Sequence, residues 1–307
     1  MQRLTARYFT RRQFIQSSVA TTAMLLSSPL RGLNMIRNKR VLVGAHLWVY
    51  ASKYPPNYDC TEVLGQVFSD IKYAGIDVLE LMHQNVLHEN SVERLTALVE
   101  KYKLPIIGSS FGAQMWDRDR VNKVLEDAHV LFERLEGLNA KYVGLSVGHP
   151  RRKKTIEELE TQVELLKKIL ILGKKHKITC NLHNHTYEVQ DDFYDLNFTL
   201  KNIPDFPLGP DLNWLIRAGA DPVKFIRKYQ RQIVYLHIRD QYQSGEWSEA
   251  VGEGDTDFEN INTALHDIKF SGVATIELAF PDRFTPTRSM RENWKMSRDY
   301  VREVFGW

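Results

Sequence analysis

An α/β barrel of the (β/α)8 type is the fold class that this sequence predicts, and two observations carry the prediction. Short apolar runs typical of strands alternate with amphipathic segments typical of helices, which indicates a parallel sheet. Eight such units can be counted, and that number favours a closed barrel over an open sheet. The length of 307 residues is enough for one barrel of roughly 250 residues and an N-terminal extension.

The predicted strands follow one another along the chain after its first 40 residues. They cover residues 41–48, 78–82, 105–109, 142–147, 178–183, 206–212, 233–238 and 273–280. Between them, apolar residues at three- and four-residue spacing predict helices over 61–74, 91–102, 118–138 and 156–175. The motifs GxGxxG and GxxxxGK[ST], which are typical of nucleotide-binding open sheets, do not occur in the sequence.

Helix-capping residues agree with this division. Asp117 and Thr155 precede the third and fourth of these helices, and Thr155 with Glu158 fits a capping box. Gly75 and Gly137 stand where helix C-caps are expected. The capping residues therefore support the predicted ends of these helices.

The first residues differ from the rest. Arg11 and Arg12 precede a weakly apolar, uncharged run over 17–30, which is too short to cross a bilayer as a helix of about 20 residues. This pattern predicts a twin-arginine type signal over 1–34 and export to the periplasm, and 35–307 then form a single barrel domain. A disordered or amphipathic arm is the alternative. We expect no transmembrane span in the remaining sequence.

Charge and cysteine content narrow the partners. Lys and Arg total 41 against 38 for Asp and Glu, and a net charge of +3 is too small to predict a nucleic-acid partner. The basic run 151–154 is predicted to be a solvated loop. Cys60 and Cys180 are far apart in sequence and lack metal-site spacing, so we expect two free thiols. The long segment 241–257 could form a lid or a dimer contact, which leaves a homo-oligomer open.

Polar residues that suit metal binding or catalysis stand at or just past the ends of the predicted strands. In chain order they are His46, Glu80, Ser109, Ser146, His183, Asp211, His237 and Glu277. In a barrel these strand ends surround one site. Two imidazoles and two carboxylates on separate strands can hold one divalent ion, and this mixed donor set suits Mn, Co, Zn, Fe or Mg.

Three motifs add a family resemblance that covers the chain after about residue 40. They are the stretch from Gly209-Pro210-Asp211 to Trp214 with the following His237-Ile238-Arg239-Asp240, the His183-Asn184-His185 motif with Glu188, and the glycine-rich turn at 252–258. They resemble the xylose-isomerase-like TIM barrels, called sugar phosphate isomerase/epimerase proteins, which are more distantly related to the endonuclease IV fold. The second motif is similar to the His-Asn-His-Asp-x-Glu variant of one branch.

The resemblance implies that Asp211, His237 and Glu277 bind the divalent metal. His183 stands where most relatives carry the fourth ligand, a glutamate that in the enolising epimerases also serves as one of two acid/base carboxylates. This departure puts the two-carboxylate mechanism in question. Glu188 is then a candidate ligand or proton-transfer group, with a solvated loop glutamate as the alternative.

Further candidates surround the predicted metal. His185, Arg239 and Glu80 are the other catalytic candidates, with a supporting structural role as the alternative for His185 and Glu80. His46, Trp48, Trp214 and Trp247 are candidates for substrate binding, because sugar rings stack on aromatic surfaces; core or loop packing is the alternative for the tryptophans.

The predicted function is a metal-dependent isomerase/epimerase that acts on a carbohydrate or keto-sugar through an enediolate. The same enediolate could expel a β-oxygen substituent, so a lyase or hydratase that cleaves 3-keto-glycosides is an alternative. An endonuclease IV-like phosphodiesterase and a sugar-binding barrel without turnover are further alternatives.

Overall fold

The computed structural model describes residues 41–281 and 284–307, so the predicted signal over 1–34 lies outside the described residues. Within the described chain, all strands of the sheet are parallel and stand in the order β5-β4-β3-β2-β1-β7-β6. The strands are β1 Leu42–His46, β2 Val78–Met82, β3 Ile106–Gly112, β4 Tyr142–Ser146, β5 Thr179–Leu182, β6 Tyr235–Ile238 and β7 Val273–Ile276. The prediction of an α/β barrel is confirmed.

The predicted strand over 206–212 is wrong as a continuous strand. Leu208 makes isolated parallel bridges to Leu182 on one side and to Ile233 on the other. Its amide donates to the Gln232 carbonyl at 2.8 Å, and its carbonyl accepts from Val234 at 2.9 Å. The residues on both sides of this short pairing include Pro207 and Pro210, which have no N–H to donate to a ladder. This segment nevertheless closes the gap between β5 and β6.

Helices cover the outside of the barrel and fill the connections. They are α1 Trp48–Ala51, α2 Leu64–Ala74, α3 His83–Leu87, α4 Ser91–Tyr102, α5 Val121–Gly137, α6 Ile156–Lys175, α7 Thr186–Asn202, α8 Leu212–Arg217, α9 Pro222–Lys228, α10 Phe258–Asp267 and α11 Met290–Phe305. Short 3-10 turns at Thr61–Val63 and Arg118–Arg120 precede α2 and α5. α7 is interrupted at Gln190–Phe193, where the backbone is not helical. Among the described helices, none has the length and apolarity needed to cross a bilayer.

The predicted helix caps are largely confirmed. Thr155 and Glu158 form both halves of a capping box at the start of α6. Gly75 ends α2 in the left-handed region with φ of 75°. Gly137 instead remains in the last turn of α5, where Leu138 is the C-cap with φ of −87° and needs no glycine.

The barrel strands are buried, and tight backbone contacts fix their spacing. A Cβ built on Gly108 would lie 2.1 Å from the carbonyl oxygen of Tyr142 on the neighbouring strand. Gly108 follows a register irregularity between β2 and β3. Glycine is therefore required there by the close approach of two backbones.

The basic run 151–154 does not behave as a uniform solvated loop. Arg151, Arg152 and Lys153 are exposed, as predicted. Lys154 is only 5% exposed and donates to Asp195 of α7 at 2.6 Å and to Gln162 of α6 at 2.7 Å. The prediction is therefore wrong for Lys154, because a buried carboxylate reaches it from α7.

Both predicted free thiols are confirmed. Cys60 and Cys180 are buried and form no disulfide. Burial raises the pKa of Cys60 to about 11 and that of Cys180 to about 12.

Candidate metal centre and substrate cavity

A cavity of about 820 Å³ opens at the carboxyl ends of the strands. Residues at the ends of several strands line it, including His46 of β1, Glu80 of β2, His183 after β5, His237 of β6 and Glu277 after β7. The parallel sheet places these side chains at the same edge although they are far apart in sequence. Six of the eight predicted strand-end residues line this cavity; Asp211 does not, and neither does Ser109, whose hydroxyl donates to backbone carbonyls.

Two histidines face each other at the centre of this ring. The Nδ1 atoms of His183 and His237 are 3.0 Å apart, and their rings are perpendicular at 90°. The Nε2 atom of His237 lies 2.9 Å from a carboxylate oxygen of Glu80. When Nε2 donates to that carboxylate, the Nδ1 atom of a neutral His237 is left as an acceptor that can bind a cation.

Glu277 completes a group that could hold a metal ion. The candidate ligand atoms of His183, His237 and Glu277 lie within 4.8 Å of one another, and all three residues are buried. The Oε2 atom of Glu277 is buried without a hydrogen-bond partner. An unpaired carboxylate oxygen beside two converging imidazoles fits a divalent cation, because buried polar atoms are otherwise satisfied.

Asp211 lies beside this three-residue group. It is the N-cap of α8, and its Oδ1 atom accepts from the backbone amides of Asn213 and Trp214 at 2.9 and 3.0 Å. Its Oδ2 atom is 2.9 Å from Arg239 Nη2. An isolated bridge pairs Asp211 with His237. The fourth predicted ligand is therefore next to the three-residue group, with one oxygen engaged in the helix cap.

Arg239 connects the two carboxylates. The same Nη2 atom contacts Asp211 and a carboxylate oxygen of Glu277, and the side chain is buried. Its guanidinium carbon lies 4.9 Å from the ring centre of Trp247 and 5.4 Å from that of Trp214. The guanidinium of Arg239 therefore neutralises part of the charge of the two carboxylates, and the two tryptophan rings pack around it at the wall of the cavity.

The pKa values of the three candidate ligands are shifted from their usual values by burial and by neighbouring charges. Burial opposes the charged form of His237, but the neighbouring carboxylates of Glu80 and Glu277 prevail and raise its pKa to about 9. Burial would raise the pKa of Glu277, yet Arg239 and the histidines lower it to about 2. Burial, followed by the charge of His237, lowers the pKa of His183 well below its usual value. At neutral pH the site therefore combines an ionised Glu277, a protonated His237 and a neutral His183, and a cation that binds Nδ1 of His237 would displace its proton.

The carboxylate of Glu80 is engaged by two neighbouring side chains. One of its oxygens accepts from Tyr235 at 2.7 Å and also contacts His237 at 2.9 Å, and Glu80 is only 2% exposed. Burial alone would raise the pKa of Glu80, but the charge and hydrogen bond of His237 lower it. Glu80 lines the cavity, and its contacts suit a residue that orients His237.

Glu188 is not brought into the cavity. It is fully buried in the first turn of α7, where its Oε2 atom accepts from the His185 amide at 2.7 Å in a capping box. Burial and the charge of Asp195 raise its pKa well above the usual value. The alternative of a solvated loop glutamate is wrong. The helix that starts at Thr186 turns Glu188 back toward its own N-cap instead of toward the strand ends.

The remaining predicted residues do line the cavity. His185 stacks on Tyr187 at an interplanar angle of 8°, and its ring lies 5.0 Å from that of His183. His46 binds Ser110 through Nε2 at 3.1 Å and accepts from the Trp48 amide at 3.2 Å. Trp48, Trp214 and Trp247 all contribute to the wall. Aromatic surface and polar groups thus surround the candidate metal centre.

Several residues that line the cavity were not predicted from the sequence. His83 and Gln84 come directly after β2, and Gln114 follows β3. Arg120 and Lys123, at the start of α5, also contribute to the wall. His83 and Gln84 carry the same signal as the predicted residues, because they are polar and follow a strand. Burial lowers the pKa of His83 to about 4, so its ring is neutral at pH 7.

The fold and the site define a barrel protein with a candidate metal centre at the carboxyl ends of its strands. A family model described as xylose isomerase-like TIM barrel matches residues 68–303. The chain therefore belongs to the xylose isomerase-like TIM barrel family. A comparison with curated proteins found no match.

Solved structures of sugar epimerases share the fold. A D-allulose 3-epimerase from Methylomonas sp. is 17% identical, with a TM-score of 0.71 over 87% of this chain and 98% of that chain. An L-ribulose 3-epimerase is 18% identical, with a TM-score of 0.71 over 87% and 95%. A 3-keto-D-glucoside 4-epimerase from E. coli is 15% identical, with a TM-score of 0.65 over 86% and 100%. At these identities the likeness concerns the fold.

Proposed function

We propose that this protein is a divalent-metal-dependent isomerase or epimerase that acts on a sugar or keto-sugar through an enediolate. The observation that carries the proposal is the convergence of His183, His237 and Glu277, with an unpaired oxygen of Glu277, inside a cavity with aromatic walls. The epimerase activities of the similar structures support the choice of substrate class.

His183, His237 and Glu277 would hold the metal, with Asp211 beside them as the fourth candidate. When bound, a divalent ion polarises a substrate carbonyl and makes the neighbouring C–H more acidic. Glu277 is ionised at neutral pH and can accept that proton. Arg239 contacts Glu277 and can stabilise negative charge that develops on a substrate oxygen.

The second proton-transfer group would be a histidine. His185 lines the cavity, and the hydroxyl of Tyr187 lies 3.1 Å from its Nδ1 atom. Return of a proton to the opposite face of the same carbon would epimerise the sugar, whereas its return to the neighbouring carbon would isomerise it. Trp48, Trp214 and Trp247 would hold the apolar faces of the ring.

His183 favours one second candidate, a lyase or hydratase. The family resemblance implies a glutamate at this position in most relatives, so one of the two carboxylates expected to re-protonate the sugar would be missing. An enediolate that is re-protonated slowly can expel a β-oxygen substituent instead. Cleavage of a 3-keto-glycoside is therefore the alternative outcome at the same site.

Proton NMR in deuterated water tests the proposal. The protein is loaded with Mn or Co, exchanged to Mg for the spectra, and incubated with free sugars and 3-keto-glycosides. Deuterium incorporation with a rearranged sugar supports the isomerase or epimerase. Release of water or of the aglycone supports the lyase, and binding without any exchange supports a non-catalytic sugar-binding barrel. Glu277→Gln, which removes the charge, should abolish exchange.

A further inference from the structure

The cavity continues beyond the candidate metal centre into a second region, here called the distal lobe. It is lined by His83, Gln84, Gln114, Arg120, Lys123 and Asp127. These residues follow β2 and β3 or start α5, whereas the candidate ligands follow or belong to β5, β6 and β7. In the strand order of the barrel, β3 lies across the ring from β6. The distal lobe therefore occupies the opposite side of the cavity mouth.

The volume of the cavity exceeds the need of one sugar ring. A hexose of about twelve non-hydrogen atoms needs at most on the order of 360 Å³, if each atom takes the roughly 30 Å³ share of a liquid water. The cavity measures about 820 Å³. A single ring at the metal centre would leave the distal lobe to water or to a second part of the substrate.

Gln84 Oε1 in the wall of the distal lobe has no hydrogen-bond partner within the protein, and the ring of His83 lines the same wall. Gln114 uses its Oε1 atom to accept from Trp116 at 2.7 Å, which leaves its NH2 group as a donor. An unpaired buried polar atom is costly, so a small rotation of Gln84 that brings Oε1 to the cavity surface would let a ligand hydroxyl satisfy it.

The charges of the distal lobe are balanced. Lys123 pairs with Asp127 at 2.7 Å, and Arg120 pairs with Asp117 at 3.1 Å. Both cations are mostly exposed, with side-chain exposures of 71% and 65%. A phosphate at either cation would meet a charge that a carboxylate already offsets. The lobe therefore suits an uncharged polyol better than a phosphate.

We propose that the distal lobe binds a second, uncharged, hydroxyl-bearing unit of the substrate, so that the natural substrate is a glycoside and not a monosaccharide or a sugar phosphate. This inference rests on the proposed function, because it places the reacting ring at the metal centre. His83 and Gln84 would bind hydroxyl groups of the second unit, and Gln114 would donate to one of its oxygens.

Calorimetric titration of the Mg-loaded protein tests the inference. The probes are matched sets in the glucose and galactose series: the free hexose, its disaccharide and its 6-phosphate. We expect at least one disaccharide to bind about tenfold or more tightly than its own hexose, since two new hydrogen bonds suffice for that ratio. No 6-phosphate should match it. Equal affinity of disaccharide and hexose in both series, or preference for a phosphate, would overturn the inference.

Variants connect the preference to the distal lobe. In Gln84→Ala the ratio of disaccharide to hexose affinity should fall toward one, whereas Gln243→Ala, an exposed glutamine outside this cavity, should keep it. If Gln84 has only a structural role, Gln84→Ala should lower the melting temperature. If its Oε1 atom is unpaired in the free protein, as the structure has it, the melting temperature should not fall. A ratio unchanged by Gln84→Ala would contradict the inference.

The two proposals can fail separately. Deuterium exchange with a free hexose, without any gain for the disaccharide, would retain the proposed function and reject the distal lobe as a binding site. Tighter binding of the disaccharide without exchange of any sugar would retain the lobe and reject the enzyme.

Discussion

The Nε2 atom of His237 lies 2.9 Å from Oε2 of Glu80, although 157 residues separate the two in sequence. The contact directs the Nδ1 atom of His237 toward His183. Pairs of this kind fix the orientation of metal-binding histidines in many enzymes. We therefore propose that Glu80 positions His237 in the site; its role as an acid/base stays a prediction.

Glu80→Gln should weaken metal binding by about 10- to 100-fold, because the amide lacks the charge that orients and polarises His237. Titration with Mn followed by electron paramagnetic resonance measures the affinity. The matched control is Glu136→Gln, which alters a surface glutamate that contacts His176 at 2.7 Å outside the cavity. Equal metal affinity in the Glu80 variant and the wild type would contradict the positioning role.

Asp211→Asn separates helix capping from metal binding. Asparagine caps helices as well as aspartate, so the cap of α8 should be preserved, while buried Arg239 keeps Glu277 as its only charged partner of the two. If Oδ2 is a ligand, the metal content after dialysis should fall in Asp211→Asn, as it should in His237→Ala. Full metal content in Asp211→Asn, with loss in His237→Ala, would reduce the site to His183, His237 and Glu277.

Lys154→Met should destabilise the fold by about 3–5 kcal/mol, since it leaves Asp195 as a buried charge without its cation. The exposed pair of Lys123 and Asp127 provides the comparison, and Lys123→Met should change stability little. Urea unfolding measures both. A Lys154→Met/Asp195→Leu double variant should recover part of the loss. Similar stabilities of the two single variants would be inconsistent with a buried ion pair.

The thiols of Cys60 and Cys180 should resist iodoacetamide in the native protein at pH 8. Their raised pKa values, about 11 and about 12, mean that thiolate forms only as the pH approaches those values, and both side chains are buried. In denaturant both should react, because an exposed thiol has a pKa of about 8.5. Mass spectrometry counts the labels. Rapid modification of either thiol in the native state would refute the burial of that cysteine.

Gly108→Ala should cost about 3 kcal/mol or more, or prevent folding, because its Cβ would lie 2.1 Å from the backbone oxygen of Tyr142. Gly65→Ala is the matched substitution. Gly65 lies in α2, nothing stands within 4 Å of an added Cβ, and alanine favours a helix by about 0.5–1 kcal/mol. Comparable melting temperatures of the two variants would contradict the close strand contact.

The spacing of apolar residues and the helix-capping residues predicted most of the helices and strands, because both signals are contained in a few neighbouring residues. The helices at Ser91–Tyr102 and Ile156–Lys175 start and end where the pattern of apolar residues predicted. The strand over 206–212 failed for a reason visible in the sequence, since two prolines remove the donors of a ladder.

The candidate site was predicted less completely, because direction and pairing depend on distant residues. His183, His237 and Glu277 converge as expected from their places at strand ends. The bridge from Arg239 to Asp211 and Glu277 joins three elements, and no spacing along the chain encodes it. Glu188 takes part in the capping box of α7, where it accepts from the amide of the N-cap residue His185. The spacing of three residues between them is a signal of this contact in the sequence.

The short pairing of Leu208 leaves the barrel with one weak boundary, between β5 and β6. The same segment ends at Asp211, beside His237. Under the proposed function, a metal ion held at Asp211 would stabilise this boundary, and by linkage a firmer boundary would strengthen metal binding by the same free energy. Substitutions near residues 207 and 210 could therefore tune metal affinity without touching the ion, which offers evolution a route to adjust cofactor occupancy from outside the site.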